Sequence, residues 1–186
     1  PRARAQSANE EINFGCIGVG GKGRSDSADA ERFGKVIAIC DVDDRTIEKE
    51  GRRFKKATPK VYNDFRKMLD TMHKDIDAVV VSTPDHTHAP AALMAMRMGK
   101  HCYCEKPLTH TVSEARVMAE VAAKNKLATQ IGTQIHAGGN YRRVVELIQS
   151  GAIGPVGEVH VWLPWGQGGR DRPQDTPPVP AHLKWD

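Results

Sequence analysis

The sequence predicts an α/β protein whose centre is a doubly wound parallel sheet, followed by the start of a second, α+β domain. Two features predict this fold. Short apolar runs alternate along most of the chain with amphipathic helical segments, which is the order of a parallel sheet with helices on both faces. One of these runs, residues 76–81, is apolar almost throughout, as expected of a strand buried on both faces.

Six segments have the composition of strands. The first begins at Ile12 and runs into a group of glycines, and the second ends at Cys40, directly before an aspartate. The other four are shorter. The predicted strands are residues 12–17, 36–40, 61–62, 76–81, 101–104 and 128–132.

The helical segments between the strands begin at recognisable capping residues. Asp43 or Asp44 can cap the helix after the second strand, and Asp64 can cap the next helix. Thr111 and Glu114 have the spacing of a capping box. The predicted helices are one segment after the glycines, residues 45–57, one segment that begins after Asp64, and residues 89–98, 111–126 and 140–150.

The first strand runs directly into Gly18-x-Gly20-x-x-Gly23, a turn that binds the pyrophosphate of a dinucleotide when it joins a strand to a helix. Gly18 permits the tight turn, Gly20 lets the backbone approach the phosphates, and Gly23 lets the helix pack on the strand. The following helix would direct its free N–H groups at the anion. The whole turn, including Gly21 and Lys22, is therefore predicted to bind a dinucleotide.

Asp41 follows the second strand, about 20 residues beyond the glycine turn, where an acidic residue accepts hydrogen bonds from the adenosine ribose hydroxyls. Its alternative role is that of a turn residue or helix cap. A carboxylate at this position repels a 2′-phosphate, so the sequence predicts NAD as the cofactor in preference to NADP. Arg45 could partly offset this preference, which leaves NADP open.

The composition argues against several classes of protein. The hydrophobic content of 39% and charged content of 27% are those of a soluble globular protein. The net charge of +4 comes from dispersed basic residues, whereas nucleic-acid binding needs a concentrated basic face. No run is apolar enough to predict a membrane span. The four cysteines lack zinc spacing and are interpreted as core residues, so no metal site is predicted.

The sequence divides into three parts. Residues 1–11 form an N-terminal extension in which Ala3-Arg4-Ala5 has the pattern of a signal-peptide end, so both a cytoplasmic and an exported protein are consistent with it. Residues 12–155 form the dinucleotide-binding domain. Residues 156–163 alternate like a half-buried strand and precede a proline-rich stretch, so residues 156–186 are interpreted as the start of an incomplete substrate domain.

Four segments, in this order, resemble the glucose-fructose oxidoreductase / inositol dehydrogenase (Gfo/Idh/MocA) family. The resemblance runs from about Ile12 to Trp162, and Glu105-Lys106-Pro107 is its most specific part. The segments are the glycine turn with Asp41, Ser82-Thr83-Pro84-x-His86-x-His88, Gly99-Lys100-His101 leading into Glu105-Lys106-Pro107, and Glu146-Leu147-Ile148-Gln149-Ser150-Gly151-x-Ile153-Gly154.

The resemblance implies a Rossmann fold that binds a nicotinamide cofactor, followed by a mixed α/β domain that supplies the substrate pocket. It implies reversible hydride transfer at a carbinol carbon of a sugar, cyclitol or related polyol. Lys106 matches the family lysine beside the nicotinamide and the substrate hydroxyl, and Glu105 matches the residue that helps to position it. Pro107 matches a proline that is often preceded by a cis peptide bond.

Further residues match family positions around the cofactor. Gln134 and His136 match positions that face the nicotinamide and the substrate, and His136 is either an acid–base partner or a loop residue. A metal at His86-x-His88 lacks a third ligand, so contact with the cofactor or helix capping is the favoured interpretation. The residues that match positions lining the cofactor are Thr83, Pro84, His86 and His88.

The family's second-domain aspartate and histidine have no identifiable counterpart before Asp186. The 186-residue chain alone is therefore expected to be inactive, and the complete protein to be a homo-oligomer. Two other functions stay open: NAD-dependent glycoside hydrolysis and non-catalytic dinucleotide sensing. Lys106 argues against the first, because relatives with that activity usually lack the lysine, and the intact Glu105-Lys106-Pro107 argues against the second.

Overall fold

The computed structural model describes residues 11–162 and 176–184, and its centre is a six-stranded parallel sheet. The strands are β1 (Ile12–Ile17), β2 (Gly34–Cys40), β3 (Lys60–Tyr62), β4 (Ala78–Val81), β5 (His101–Glu105) and β6 (Thr129–Gly132). Their order in the sheet is β3-β2-β1-β4-β5-β6. The first strand thus lies in the middle of the sheet, β2 and β3 follow on one side of it, and β4, β5 and β6 follow on the other side. This order confirms the predicted doubly wound Rossmann fold.

The carboxyl ends of the central strands lie level with one another. Ile17 pairs with Cys40 on one side and with Val81 on the other, and Val81 pairs with Cys104. The segments that follow these strands therefore meet at one edge of the sheet, at the point where the strand order reverses. This edge is where doubly wound sheets bind their ligands.

Most of the predicted helices and caps are confirmed. Asp43 and Asp64 cap α2 and α3 by accepting the backbone N–H two residues on, and Thr111 with Glu114 forms the capping box of α5. None of the helices in the described ranges could cross a membrane. The helices are α1 (Gly21–Phe33), α2 (Asp44–Gly51), α3 (Phe65–Met72), α4 (Asp85–Arg97), α5 (Val112–Asn125), α6 (Gln134–Ala137) and α7 (Gly139–Gln149).

Two helix boundaries differ from the prediction. The helix predicted over residues 45–57 ends at Gly51, because the backbone N–H groups of Lys55 and Lys56 donate to Glu31 of α1 and cannot continue the helix. The helix predicted from residue 89 begins at Asp85, directly after Pro84. The second correction places the histidine motif in the first turn of a helix.

The core consists of two apolar clusters of buried side chains. Cys102 and Cys104 belong to one of them, and Tyr103 packs against the other, as alternation along β5 requires. All four cysteines are buried with free thiols, and burial raises the pKa of each. Their interpretation as core residues is confirmed.

The described residues between 133 and 179 belong to a second compact unit, whereas residues 180–184 belong to the unit that contains the sheet. The strand predicted over residues 156–163 is wrong for residues 156–162, which form no strand and expose Val159 and Val161. An alternating pattern needs a neighbouring strand to complete its hydrogen bonds. Leu163 and the signal-like Ala3-Arg4-Ala5 lie outside the described residues. The domain boundaries drawn from the sequence stay a prediction.

Candidate functional site

The glycine turn between β1 and α1 has no room for side chains. Gly18 has φ of +77°, and its N–H donates to the Cys40 carbonyl at 2.8 Å. A Cβ on Gly18 would lie 2.7 Å from the Ser82 carbonyl oxygen, and a Cβ on Gly23 would overlap the Gly18 carbonyl oxygen. The turn is tight, as the sequence predicts, and it is held against β2 and the end of β4.

The amino end of α1 is suited to an anion. Its N-cap residue, Gly20, provides no side-chain cap, and no acidic residue lies in the first turn. By contrast, side chains cap the starts of α2, α3 and α5. Among the residues that the structure describes, the first N–H groups of α1 thus have neither an intrahelical nor a side-chain partner. A pyrophosphate would satisfy these groups and interact favourably with the helix dipole.

Asp41 holds the glycine turn in place. Its Oδ2 atom accepts hydrogen bonds from the N–H groups of Val19 (3.0 Å) and Gly20 (3.3 Å), and its Oδ1 atom accepts one from Asp43 at 3.0 Å. A carboxylate can accept about four hydrogen bonds. Asp41 therefore has capacity left for a ribose hydroxyl, in addition to a structural role that the sequence did not indicate.

Arg45 is engaged by a neighbouring carboxylate. Its Nε and Nη2 atoms lie 3.2 and 3.0 Å from Oδ1 and Oδ2 of Asp43. Hydrogen bonding by Arg45 lowers the pKa of Asp43 to about 2. Asp43 thus already binds two of the three guanidinium nitrogens of Arg45 and partly neutralises its charge, which weakens any attraction to a 2′-phosphate.

A polar chain connects α1 with the end of β4. The Lys22 Nζ atom lies 2.5 Å from Oδ1 of Asp26, and the Ser82 hydroxyl donates to Oδ2 of Asp26 at 2.7 Å. Asp26 is 7% exposed, and its hydrogen bond to Lys22 raises the pKa of the lysine. Lys22 thus neutralises a buried carboxylate. Sequence reasoning missed Asp26, although Lys22 and Asp26 have the i, i+4 spacing of a helical ion pair, and it included Ser82 in the family-like segment without assigning it a role.

Glu105, the last residue of β5, is a second buried carboxylate, with 4% exposure. It accepts hydrogen bonds from the Tyr103 hydroxyl (3.0 Å) and from the backbone N–H of Lys106 (3.2 Å), and the Lys22 Nζ atom lies 3.7 Å from its Oε1. A Cβ on Gly132 of β6 would overlap this carboxylate. A larger residue at position 132 would force the Glu105 carboxylate to move.

Lys106 emerges from this buried support at the carboxyl end of β5. Its side chain is exposed, and within the described ranges no ion pair involves it. The Lys106–Pro107 peptide bond is cis, which confirms the expectation from the family resemblance. The geometry presents the amino group of Lys106 at the carboxyl edge of the sheet, on a backbone held by Glu105.

The Thr83–His88 motif divides into exposed and buried parts. Pro84 and His86 are exposed, whereas the Thr83 hydroxyl is buried without a hydrogen-bond partner in the described part of the chain. Such an orphaned group is consistent with a position that lines a cofactor.

His88 is only 1% exposed, and the structure gives it a role that differs from the predicted cofactor contact. Its Nε2 atom lies 2.7 Å from the Thr83 carbonyl oxygen, and its Nδ1 atom lies 2.6 Å from that of Pro107. Both ring nitrogens thus face protein carbonyls and leave none for a ligand. His88 joins the turn after β4 to the turn after β5.

Gln134 and His136 lie in α6, within the second compact unit. Both are exposed, and the His136 ring stacks on Tyr141 with a centroid distance of 4.8 Å. Their approach to a nicotinamide or substrate stays a prediction. In the described ranges, no group of three His, Cys, Asp or Glu side chains could hold a metal ion.

Comparison with known proteins decides the family. Residues 12–133 match the Gfo/Idh/MocA model, whose description is an oxidoreductase family with an NAD-binding Rossmann fold. The chain belongs to this family. The matched region contains the glycine turn, Asp41 and Glu105-Lys106-Pro107. Residues 12–133 are therefore the NAD-binding Rossmann part of a Gfo/Idh/MocA oxidoreductase.

Three relatives illustrate the range of the family. The chain is 33% identical over 160 residues to an alpha-N-acetylgalactosaminidase of Shewanella oneidensis, covering 79% of this chain and 34% of the relative. It is 33% identical over 153 residues to an inositol 2-dehydrogenase of Rubrobacter xylanophilus, covering 78% and 42%. The structure of a Lactobacillus casei scyllo-inositol dehydrogenase with NAD(H) and scyllo-inositol superposes with a TM-score of 0.70 at 26% identity, covering 78% and 43%. The chain thus spans less than half the length of these relatives.

Proposed function

We propose that the chain supplies the NAD-binding and lysine-bearing part of an oxidoreductase that transfers a hydride between nicotinamide and a carbinol carbon of a sugar, cyclitol or related polyol. The observation that carries this proposal is the position of Lys106. It projects from a strand end supported by the buried Glu105, at the same sheet edge as the uncapped start of α1. Relatives named as inositol dehydrogenases support a cyclitol-like substrate.

Each part of the site has a separate task in this proposal. NAD, when bound, supplies the hydride acceptor. The start of α1 binds the pyrophosphate, and Asp41 accepts from the adenosine ribose. Lys106, as a neutral amine, accepts the proton of the substrate hydroxyl at Nζ, and as an ammonium group it returns this proton in the reverse direction. Glu105 and Lys22 keep the strand end in position below Lys106.

A screen for NADH formation tests the proposal. The protein that contains this chain and a complete second domain should reduce NAD with at least one cyclitol or sugar from a panel that includes myo-inositol and scyllo-inositol. The increase in NADH absorbance with time gives the rate for each substrate. Binding of NAD without turnover on any polyol would count against hydride transfer as the net reaction.

The similarity to a named galactosaminidase favours one second candidate, NAD-dependent glycoside hydrolysis. The two activities differ in their use of the cofactor. A dehydrogenase accumulates NADH, whereas the hydrolase would release nitrophenol from a nitrophenyl N-acetylgalactosaminide with catalytic NAD and no net NADH. Lys106 favours the dehydrogenase, and the two assays on one preparation discriminate between them.

We expect the protein to prefer NAD to NADP by at least about tenfold, because Asp41 would lie close to a 2′-phosphate while Asp43 occupies Arg45. Asp41→Asn should lower the ratio of the NAD affinity to the NADP affinity, since it removes the negative charge and keeps one acceptor oxygen for the N–H groups of the glycine turn. Asp41→Ala should weaken binding of both cofactors, because it also releases the N–H groups of Val19 and Gly20. Calorimetric titration with both cofactors gives the ratios, and tighter binding of NADP by the wild type would refute the preference.

We expect the 186-residue chain on its own to bind NAD without oxidising a polyol. It spans less than half the length of the relatives, and the substrate pocket is expected in the part that they have in addition. Calorimetry should detect binding of NAD, while the polyol panel yields no NADH. Turnover by this chain would show that the active site is complete within it.

A further inference from the structure

A segment from the far end of the chain lies against the turn that follows β2. The N–H of Asp44 donates to the His182 carbonyl at 3.0 Å, and the N–H of Lys184 donates to the Val42 carbonyl at 2.8 Å. Between these bonds, Asp43 and Leu183 form an antiparallel bridge. Residues 180–184, here called the strap, therefore add a short antiparallel pairing to the sheet-containing unit.

An ion pair accompanies the backbone pairing. The Lys184 Nζ atom lies 3.0 Å from Oδ2 of Asp44, while the Asn63 side-chain amide donates to Oδ1 of Asp44 at 2.8 Å. Hydrogen bonding by Lys184 and then by Asn63 lowers the pKa of Asp44. Asp44 is thus held from two sides, by the strap and by the residue after β3.

The turn that the strap holds is the one that fixes Asp41. The N–H of Asp43 donates to Oδ1 of Asp41, and Oδ2 of Asp41 accepts from Val19 and Gly20 of the glycine turn. A continuous series of hydrogen bonds therefore runs from Lys184 through residues 42–44 to Asp41. Movement of residues 42–44 would shift the carboxylate relative to the glycine turn.

We propose that the strap is part of the adenosine end of the NAD site, with the main chain of His182 and Lys184 positioning Asp41. This inference rests on the proposed NAD binding. The strap contributes no catalytic group: it acts through residues 42–44. It also makes cofactor affinity depend on residues that the sequence alone assigns to the substrate domain.

The backbone bonds should matter more than the ion pair. The side chains of Lys184 and Asp44 are 49% and 44% exposed, and ion pairs at such positions contribute little. The Lys184 N–H, by contrast, donates one of the two backbone hydrogen bonds between the strap and residues 42–44. Lys184→Pro removes both the charge and this N–H, whereas Lys184→Met removes the charge alone, so the two variants separate the contributions.

The test is calorimetric titration of NAD and ADP-ribose into the wild-type chain and its variants. Lys184→Pro, and a chain ending at Val179, should bind both ligands about tenfold more weakly, and Lys184→Met within about threefold of the wild type. Lys35→Met is the matched control. Lys35 pairs with Glu11 at 3.0 Å with exposures of 44% and 43%, at the amino end of β2, and its loss should leave binding unchanged.

Amide hydrogen exchange distinguishes positioning from general stabilisation. In Lys184→Pro the Val19 and Gly20 amides should exchange faster, while amides of β5 keep their wild-type rates. Unchanged affinity for NAD and ADP-ribose in both Lys184→Pro and the shortened chain would overturn the inference, even if the melting temperature falls. Failure of the wild type to bind NAD would instead overturn the proposed function.

Discussion

Replacing Lys106 by alanine should lower the turnover of a polyol by about a hundredfold or more, the usual scale for the loss of an acid–base group. The affinity for NAD should change much less, because the proposed pyrophosphate site is the glycine turn with the start of α1. The side chain of Lys106 is exposed and makes no ion pair within the described ranges, so its loss leaves the fold intact. Steady-state kinetics of the two-domain protein and calorimetry with NAD measure the two effects.

Lys124→Ala is a suitable control for this experiment, because Lys124 is an exposed lysine on α5, away from the sheet edge. It should keep wild-type turnover. If Lys106→Ala turned over polyol at a nearly normal rate, the lysine would be structural only. Glycoside hydrolysis and dinucleotide sensing would then become the better interpretations.

Gly23→Ala should abolish most cofactor binding and destabilise the domain. A Cβ at this position would overlap the Gly18 carbonyl oxygen and lie 3.2 Å from the Ser82 Cβ, so α1 would have to move away from the sheet. Such overpacking typically costs about 1–3 kcal/mol of unfolding free energy. The shift of α1 should remove about two hydrogen bonds from its backbone N–H groups to the charged pyrophosphate. At about 1.5 kcal/mol or more for each hydrogen bond, this loss corresponds to about a hundredfold weaker binding of NAD.

Chemical denaturation and calorimetry measure these two effects, and Gly139→Ala provides the control. A Cβ on Gly139 would meet no atom within 4 Å, and its φ is not positive. This variant should differ from the wild type by no more than about 0.5 kcal/mol, as expected for an unconstrained surface position. Wild-type NAD binding by Gly23→Ala would mean that α1 does not form the pyrophosphate site.

Short-range signals in the sequence were enough to predict the sheet and the tight glycine turn. Helix caps act within three residues, a buried parallel strand is apolar along its own length, and the glycine turn is specified by three positions. The six strands, the caps at Asp43, Asp64 and Thr111, and the cysteines of the core are confirmed for this reason. The Glu105-Lys106-Pro107 motif was found through the family resemblance rather than through periodicity.

The sequence was wrong where an element depends on a distant partner. Residues 156–162 alternate as a strand should, yet they form none, since alternation does not provide a neighbouring edge. The helix after Asp43 ends early because Glu31, a residue of another helix, binds the backbone of residues 55 and 56.

What the sequence by itself determined is the fold class, the location of the glycine turn between the first strand and the first helix, and the identity of the exposed lysine. Only the tertiary structure decided how these parts are held. The contacts of Asp26 with Ser82, of His88 with Pro107 and of the strap with residues 42–44 join segments distant in the chain. Such contacts follow from the strand order, which brings these segments together at one edge of the sheet, and no local pattern encodes them.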